Sequence, residues 1–295
     1  MPESDRPPLD AESALLAYVL LLAGMYSVGA PAQMRGVVFG LWLTESVAIA
    51  LPAIFRISLA GVRFAPYLGL RRLTWKQALI AAGVAVANQP VISFITWLAH
   101  SVLPKVLVDA FDAKQLLLNS IFAAHLVPML ATVVTAAPVA EELFFRGFAL
   151  PAMARSWGPV AAVIVSGALF SGLHGDPVGF VGLMEIGIVL AALRLWSGSL
   201  WAAVIGHAVN NGIAGMAFVL GWQDPAVPPH PAVLLIGALL LIVGIGVLPR
   251  VIRSRPRDAL IDEQRVPPQY GLAALLALLW LAAFFRGASQ MLPPG

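Results

Sequence analysis

"PVAEELFFRG", residues 138–147, sets two adjacent carboxylates, Glu141 and Glu142, and a guanidinium, Arg146, inside an apolar run that extends over 119–148. Whether that run is a soluble helix or a membrane span decides the fold, and the composition answers. Only 11% of residues are charged, 60% are hydrophobic and the mean hydropathy is +0.87, whereas about a quarter of the residues of an ordinary soluble domain are charged. A bilayer crossing takes roughly 20 apolar residues. Runs of about that length recur at 13–31, 37–60, 78–101, 119–148, 158–174, 178–195, 199–221, 232–249 and 271–288. The chain therefore reads as all-α, a polytopic membrane helix bundle of about eight or nine transmembrane helices. Four regions follow: a polar N-terminal tail over 1–12, N-terminal transmembrane helices over 13–118, a core over 119–221 that holds the intramembrane polar residues, and C-terminal transmembrane helices over 222–295. The tail carries acidic residues and no basic n-region, so the first span is expected to be a retained helix rather than a cleaved signal peptide.

The cations sort by loop. Arg56, Arg63, Arg71, Arg72 and Lys76 lie in one connection, and Arg250, Arg253, Arg255, Arg257 and Arg265 in another. Basic residues collect in cytoplasmic loops, which puts both connections, together with Arg155, Arg194 and the N-terminus, on the cytoplasmic side. The net charge of +3 is thereby explained without nucleic-acid binding. The absence of cysteine excludes disulfides, thiolate catalysis and Cys-based zinc sites. Pro104 to Lys114 reads as a loop or short amphipathic helix. The Pro-rich stretch "DPAVPPHPA", 224–232, reads as a connector.

A charge inside a membrane is costly and marks a function or a partner. Glu142 and Arg146, four apart with the acid first, share a helix face in the order that favours an ion pair. Glu141 lies about 100° round the helix from Glu142, and no cation on its own helix is placed to pair with it. An unpaired, desolvated carboxyl is suited to general acid or base work. Two other helices offer partners: "FSGLH" puts Phe170 and His174 on one face, and "HAVNN" does the same for His207 and Asn211. Arg155 to Gly158 reads as the turn of a helical hairpin, which sets Glu141 and His174 at similar depth. His207 fits only if the "WSGSLW" turn at 196–201 is recessed inside the protein. Such a set of buried groups suits a proton-relaying polytopic transporter or a non-catalytic membrane scaffold as well as an enzyme. No second copy of the Glu-Glu-Arg pattern indicates the internal symmetry of a transporter.

"EELFFRG", "FSGLH" and "HAVNN" resemble the EExxxR, FxxxH and HxxxN motifs of the CPBP intramembrane proteases, the family of type II CAAX prenyl endopeptidases, bacteriocin-processing proteins and Abi proteins. All three are complete and in order over roughly 120–220, so the 119–221 region resembles a CPBP catalytic core. The resemblance implies a membrane-embedded endopeptidase in which Glu141, His174, His207 and Asn211 are catalytic and Glu142, Arg146 and Phe170 support them. On that reading Glu141, assisted by His174, activates water, and His207 with Asn211 holds the oxyanion. No cofactor is needed. The competing chemistry makes Glu141, His174 and His207 zinc ligands, which would leave Glu142 as base although Arg146 already engages it. Implied partners are a membrane-associated protein or peptide substrate and the lipid bilayer.

Other intramembrane protease designs do not fit. There is no HExxH, and Leu169 stands where a GxSG nucleophile motif around Ser171 would need glycine. Gly167, Ser171 and Gly175 read instead as a small-residue strip for close helix packing. Glu45, Glu185 and His125 are expected to make helix–helix hydrogen bonds, Asn210 is expected to be structural, and Asn88-Gln89-Pro90 is expected to mark a kink with internally satisfied backbone groups.

Overall fold

The computed structural model describes residues 9–222, 225 and 227–251, together with Gly271; for Lys114, Leu117 and 247–251 it describes the backbone alone. The tail as far as Pro8, the basic stretch after Val251 and the expected span at 271–288, Gly271 apart, lie outside the described residues. Within them the chain is helical and without strands. Six helices are long and apolar enough to cross a membrane: α1 (Ala11–Arg35), α2 (Val37–Ala60), α4 (Trp75–Val102), α6 (Leu126–Trp157), α8 (Phe180–Ser197) and α9 (Leu200–Val219). Two shorter apolar helices, α7 (Pro159–Leu173) and α10 (Pro231–Val251), complete eight apolar helices. The short α3 (Phe64–Leu68) lies in the basic connection, and α5 (Lys105–Ala124) joins α4 to α6.

That last helix differs from the loop or short helix expected at 104–114. Pro104 starts it, Lys105 and Asp109 pair at 2.6 Å one turn on, and the apolar run from Leu116 continues it to Ala124. His125 then breaks the chain, so the core span begins at Leu126 rather than 119. His125 is exposed at that break and does not make the helix–helix contact expected of it.

Local signals account for the other boundaries. The Asp10 carboxylate accepts from the Ser13 N–H at 2.9 Å to start α1, and Thr74 with Gln77 forms a capping box at the start of α4. The hairpin turn between α6 and α7 is tighter than the expected Arg155–Gly158: α6 runs through Trp157, and Gly158, at a φ of +80°, alone separates it from Pro159. Asp176 Oδ1 accepts from the Val178 and Gly179 amides and orders the α7–α8 link. Three stretches widen from α to π geometry: Met25–Gly29, Thr44–Ala50 and Leu143–Ala149. Such single-turn bulges recur at functional sites. The second contains Glu45 and the third follows Glu142 directly.

Two apolar clusters flank α6. One joins α1, α2, α6 and α7 through Tyr18, Leu21, Ile57, Phe144, Phe148 and Met153; the other joins α4, α8, α9 and α10 through Val84, Leu190, Leu193 and Ala203. Asn88 on α4 donates to Glu185 on α8 at 2.9 Å, and Gln89 donates to the Ala85 carbonyl and to Asn210 on α9. These are the structural contacts the sequence suggested for Glu185 and Asn210.

Helices α7 and α8 approach closely through Gly167 and Gly187. A Cβ on Gly187 would sit 2.7 Å from the Gly167 Cα, and one on Gly167 would sit 2.9 Å from the Met184 carbonyl. The Ser171 hydroxyl crosses the same seam to the Phe180 carbonyl at 2.7 Å. Gly175 is not part of this strip: it has open space around it and a φ of +56°, which makes it a turn residue. Gly187→Ala is expected to destabilise the bundle by about 1–3 kcal/mol through overpacking. A lowered thermal midpoint in detergent, without loss of expression, would register it.

Candidate active site

The polar centre lies where α6 meets α9, and its arrangement follows from the chemistry of Glu142. One oxygen of that fully buried carboxylate accepts from Arg146 Nη1 at 2.7 Å and lies 2.9 Å from His207 Nδ1. The ion pair inferred from spacing is made, and the same oxygen also holds an imidazole from another helix. Arg146 spends its second terminal nitrogen on the Gly187 carbonyl at 2.8 Å, which the glycine seam brings within reach. Its guanidinium lies 4.6 Å over the Phe170 ring and 5.7 Å from that of Phe145. A carboxylate, a carbonyl and two π faces thus surround a cation that would otherwise be prohibitively desolvated.

Fixing Nδ1 of His207 on Glu142 turns Nε2 toward Glu141. The separation from Glu141 Oε2 is 3.8 Å, too long for a direct hydrogen bond and of the order at which an intervening proton carrier is to be considered. Glu141 is 7% exposed and its Oε2 has no hydrogen-bond partner. A buried, unsatisfied carboxylate oxygen demands a proton or a donor. His207 reaches this depth because the 196–201 turn is recessed: Ser199 and Leu200 are buried, with the Leu200 N–H donating to the Gly69 carbonyl and the Ser199 hydroxyl to the Arg71 carbonyl.

His174 stands differently. It follows the last residue of α7, is exposed, and its Nδ1 lies 3.0 Å from the Phe170 carbonyl. A carbonyl only accepts, so the proton sits on Nδ1 and Nε2 is left as acceptor. Phe170 lies between the two imidazoles, its ring centroid 5.0 Å from His174 and 5.5 Å from His207. Among the described residues no hydrogen bond or ion pair joins His174 to Glu141. Asn211 donates to the Val133 carbonyl at 2.9 Å, just before α6 breaks at Thr135. Its Oδ1 lies 3.4 Å from the Asn210 amide, which donates to it. Five of the expected residues, Glu141, Glu142, Arg146, His207 and Phe170, are brought into one cluster; His174 and Asn211 lie at its margins.

Glu45 is a residue the sequence reading undervalued. It is buried at 7% exposure, its Oε2 has no partner, and it interacts electrostatically with Glu141. The indole N–H of Trp42, three residues earlier, donates to Thr132 of α6 at 2.9 Å, which turns this face of α2 toward the site. The available signal was the one that singled out Glu141: an intramembrane carboxyl with no cation one helical turn away on its own helix. Three carboxyls, Glu45, Glu141 and Glu142, thus lie near one guanidinium, a formal sum of −2 when all are ionised, so neutrality in an apolar setting would take two protons.

Among the described residues no three His, Asp or Glu side chains are grouped so as to hold a metal ion; Glu141 and His207 approach each other while His174 stands apart. The donor set does not fit a three-ligand zinc site as arranged. A half-open cavity of about 340 Å³ lies elsewhere, between α4, α5 and α8, lined by Thr96, His100, Phe111, Asp176 and Leu183. None of the clustered polar residues borders it.

Residues 123–213 match the family model described as Type II CAAX prenyl endopeptidase Rce1-like. The matched segment is just under a third of the chain, contains all three polar motifs and supports a membrane endopeptidase of the CAAX-protease type. No curated protein and no solved structure matches the chain.

Proposed function

We propose, taking the endopeptidase family of residues 123–213 as premise, that this protein hydrolyses a peptide bond of a membrane-associated protein or peptide, with Glu141 as the base. The observation that carries the reading is the orphaned Glu141 Oε2, buried and 3.8 Å from an imidazole nitrogen whose ring Glu142 orients. A water between these groups would lose a proton to the Glu141 carboxylate as its oxygen bonds to the scissile carbonyl carbon. The oxyanion that forms would be met by the second amide proton of Asn211 and by His207 in its doubly protonated form, since Nδ1–H is held by Glu142 and Nε2 donates only when it too carries a proton. As the C–N bond breaks, the proton held by Glu141, relayed by His174, passes to the leaving nitrogen, giving a carboxylate and an amine. His174, on the exposed side, is where the substrate chain would enter. The N-terminus and the basic connections are assigned to the cytoplasm by their cations.

The test compares the terminal peptides of membranes from cells carrying the wild type with those carrying Glu141→Ala. New protein termini are expected with the wild type alone; identical termini in both would overturn the assignment. Cleavage of a peptide found in this way should survive a zinc chelator. Loss of activity on chelation with stoichiometric rescue by zinc would replace this mechanism with a metal-dependent one.

A further inference from the structure

The cavity between α4, α5 and α8 has walls set out by the helical repeat. Ile92, Thr96 and His100 stand one turn apart on α4, Phe111 lines it from α5, and Gly182 and Ile186, again one turn apart, line it from α8. Gly182 leaves the space open, since a Cβ there would meet only Ile95 Cγ2, at 3.8 Å. Two of the polar wall residues are already engaged. His100 Nδ1 lies 2.9 Å from the Thr96 carbonyl and its Nε2 3.3 Å from Asp112, while Asp176 Oδ1 accepts from the Val178 and Gly179 amides. What remains for a ligand is largely aliphatic and aromatic. The volume of about 340 Å³ is more than twice the roughly 150 Å³ that encloses a benzene ring. It has room for one large apolar side chain together with the backbone that carries it.

Both margins of the candidate active site lead to this cavity. On one side the wall residue Asp176 follows His174 by two positions, a chain reach of at most about 7 Å. The hydrogen bond from Ser171 to the Phe180 carbonyl fixes the start of α8 to the turn of α7 that carries Phe170 and His174. On the other side Gln89, about one turn before Ile92 on α4, donates to Asn210 at 2.9 Å, and Asn210 donates to Asn211 at 3.4 Å. A chain that passes His174 and Asn211 therefore runs beside the cavity.

We propose that this cavity is a specificity pocket, which receives one large aliphatic or aromatic side chain of the substrate at a fixed position near the scissile bond. The inference rests on the peptidase reading. A concave, mainly apolar wall binds by removing apolar surface from water, so it ranks side chains by size. Phe111 gives the outer wall to α5, the helix that the composition of 104–114 did not announce.

The test uses the full chain in detergent and a peptide spanning one cut site, mapped from termini that appear with the wild type and not with Glu141→Ala. Each of the three residues on either side of the cut is varied among Ala, Leu and Phe. At one fixed position Leu or Phe is expected to be favoured over Ala by about 10–100-fold in kcat/KM. Gly182→Leu, whose side chain would occupy the cavity, should keep the thermal midpoint and reduce that preference at least about tenfold, leaving the Ala peptide within a few-fold of wild type. Phe111→Ala, on the opposite wall, should weaken the same preference and carries the test even where Gly182→Leu fails to fold. The pocket is overturned if no position shows a preference, or if both variants retain the wild-type preference, which would give the cavity to bilayer lipid. Cleavage persists in either case, so the peptidase reading stands. Identical termini with wild type and Glu141→Ala would remove that reading and the pocket with it.

Discussion

Glu141→Gln is expected to lower peptide cleavage by about 10²–10⁴-fold, the range a positioned general base supplies, while expression and thermal midpoint stay close to wild type. The asymmetry follows from the site. Glu141 Oε2 makes no hydrogen bond that the amide would forfeit, and its 3.8 Å approach to His207 is not an ion pair whose loss strands a partner. An amide of the same shape is also easier to bury than a carboxylate. What disappears is the ability to take the proton of water. The measurement pairs initial rates on a peptide identified from cellular termini with thermal unfolding of the same preparation. A variant that cleaves within a few-fold of wild type would remove Glu141 from the chemistry, and one that is inactive because it unfolds would give it a structural role.

The part of the site that could be read from sequence is the part carried by helical spacing. Glu142 and Arg146 are four apart, and that alone anticipates their contact. His207 was assigned to the site by motif but looked too close to a turn. The reason it fits, the recession of Ser199 and Leu200 beneath the Gly69–Arg71 strap, is a contact across more than a hundred residues that no local pattern carries. The same holds for the Glu142–His207 bond, since the spacing that paired Glu142 with Arg146 said nothing of a second donor. For His174 the local signals set only the helix end: Gly175, Asp176 and Pro177 are helix-ending residues, the helix stops at Leu173 with His174 as its cap, and His174 lies at the margin of the cluster beside Phe170. Glu45 could not be separated from an ordinary helix contact because its neighbour is on a distant helix. The membrane bundle itself was legible, since composition and run length depend on no tertiary contact.

Glu142→Gln tests the non-local bond. Removing the charge leaves Arg146 fully buried without its counter-ion, at a cost of about 3–5 kcal/mol, and weakens the acceptor that sets the His207 ring. This variant should therefore unfold at a clearly lower temperature and be inactive, in contrast to Glu141→Gln. The two losses separate in the double variant Glu142→Leu/Arg146→Met. Replacing both members of a buried pair by apolar residues of similar size is often neutral or stabilising, so the thermal midpoint should recover most of the way toward wild type. Activity should not recover, because His207 Nδ1 would face a methyl group and Nε2 would no longer be aimed at Glu141. Recovery of activity together with stability would mean that Glu142 serves only to neutralise Arg146. Stability without activity would mean that one carboxylate holds the helix together and orients the imidazole at the same time, which is the role its shared oxygen, 2.7 Å from Arg146 and 2.9 Å from His207, equips it for.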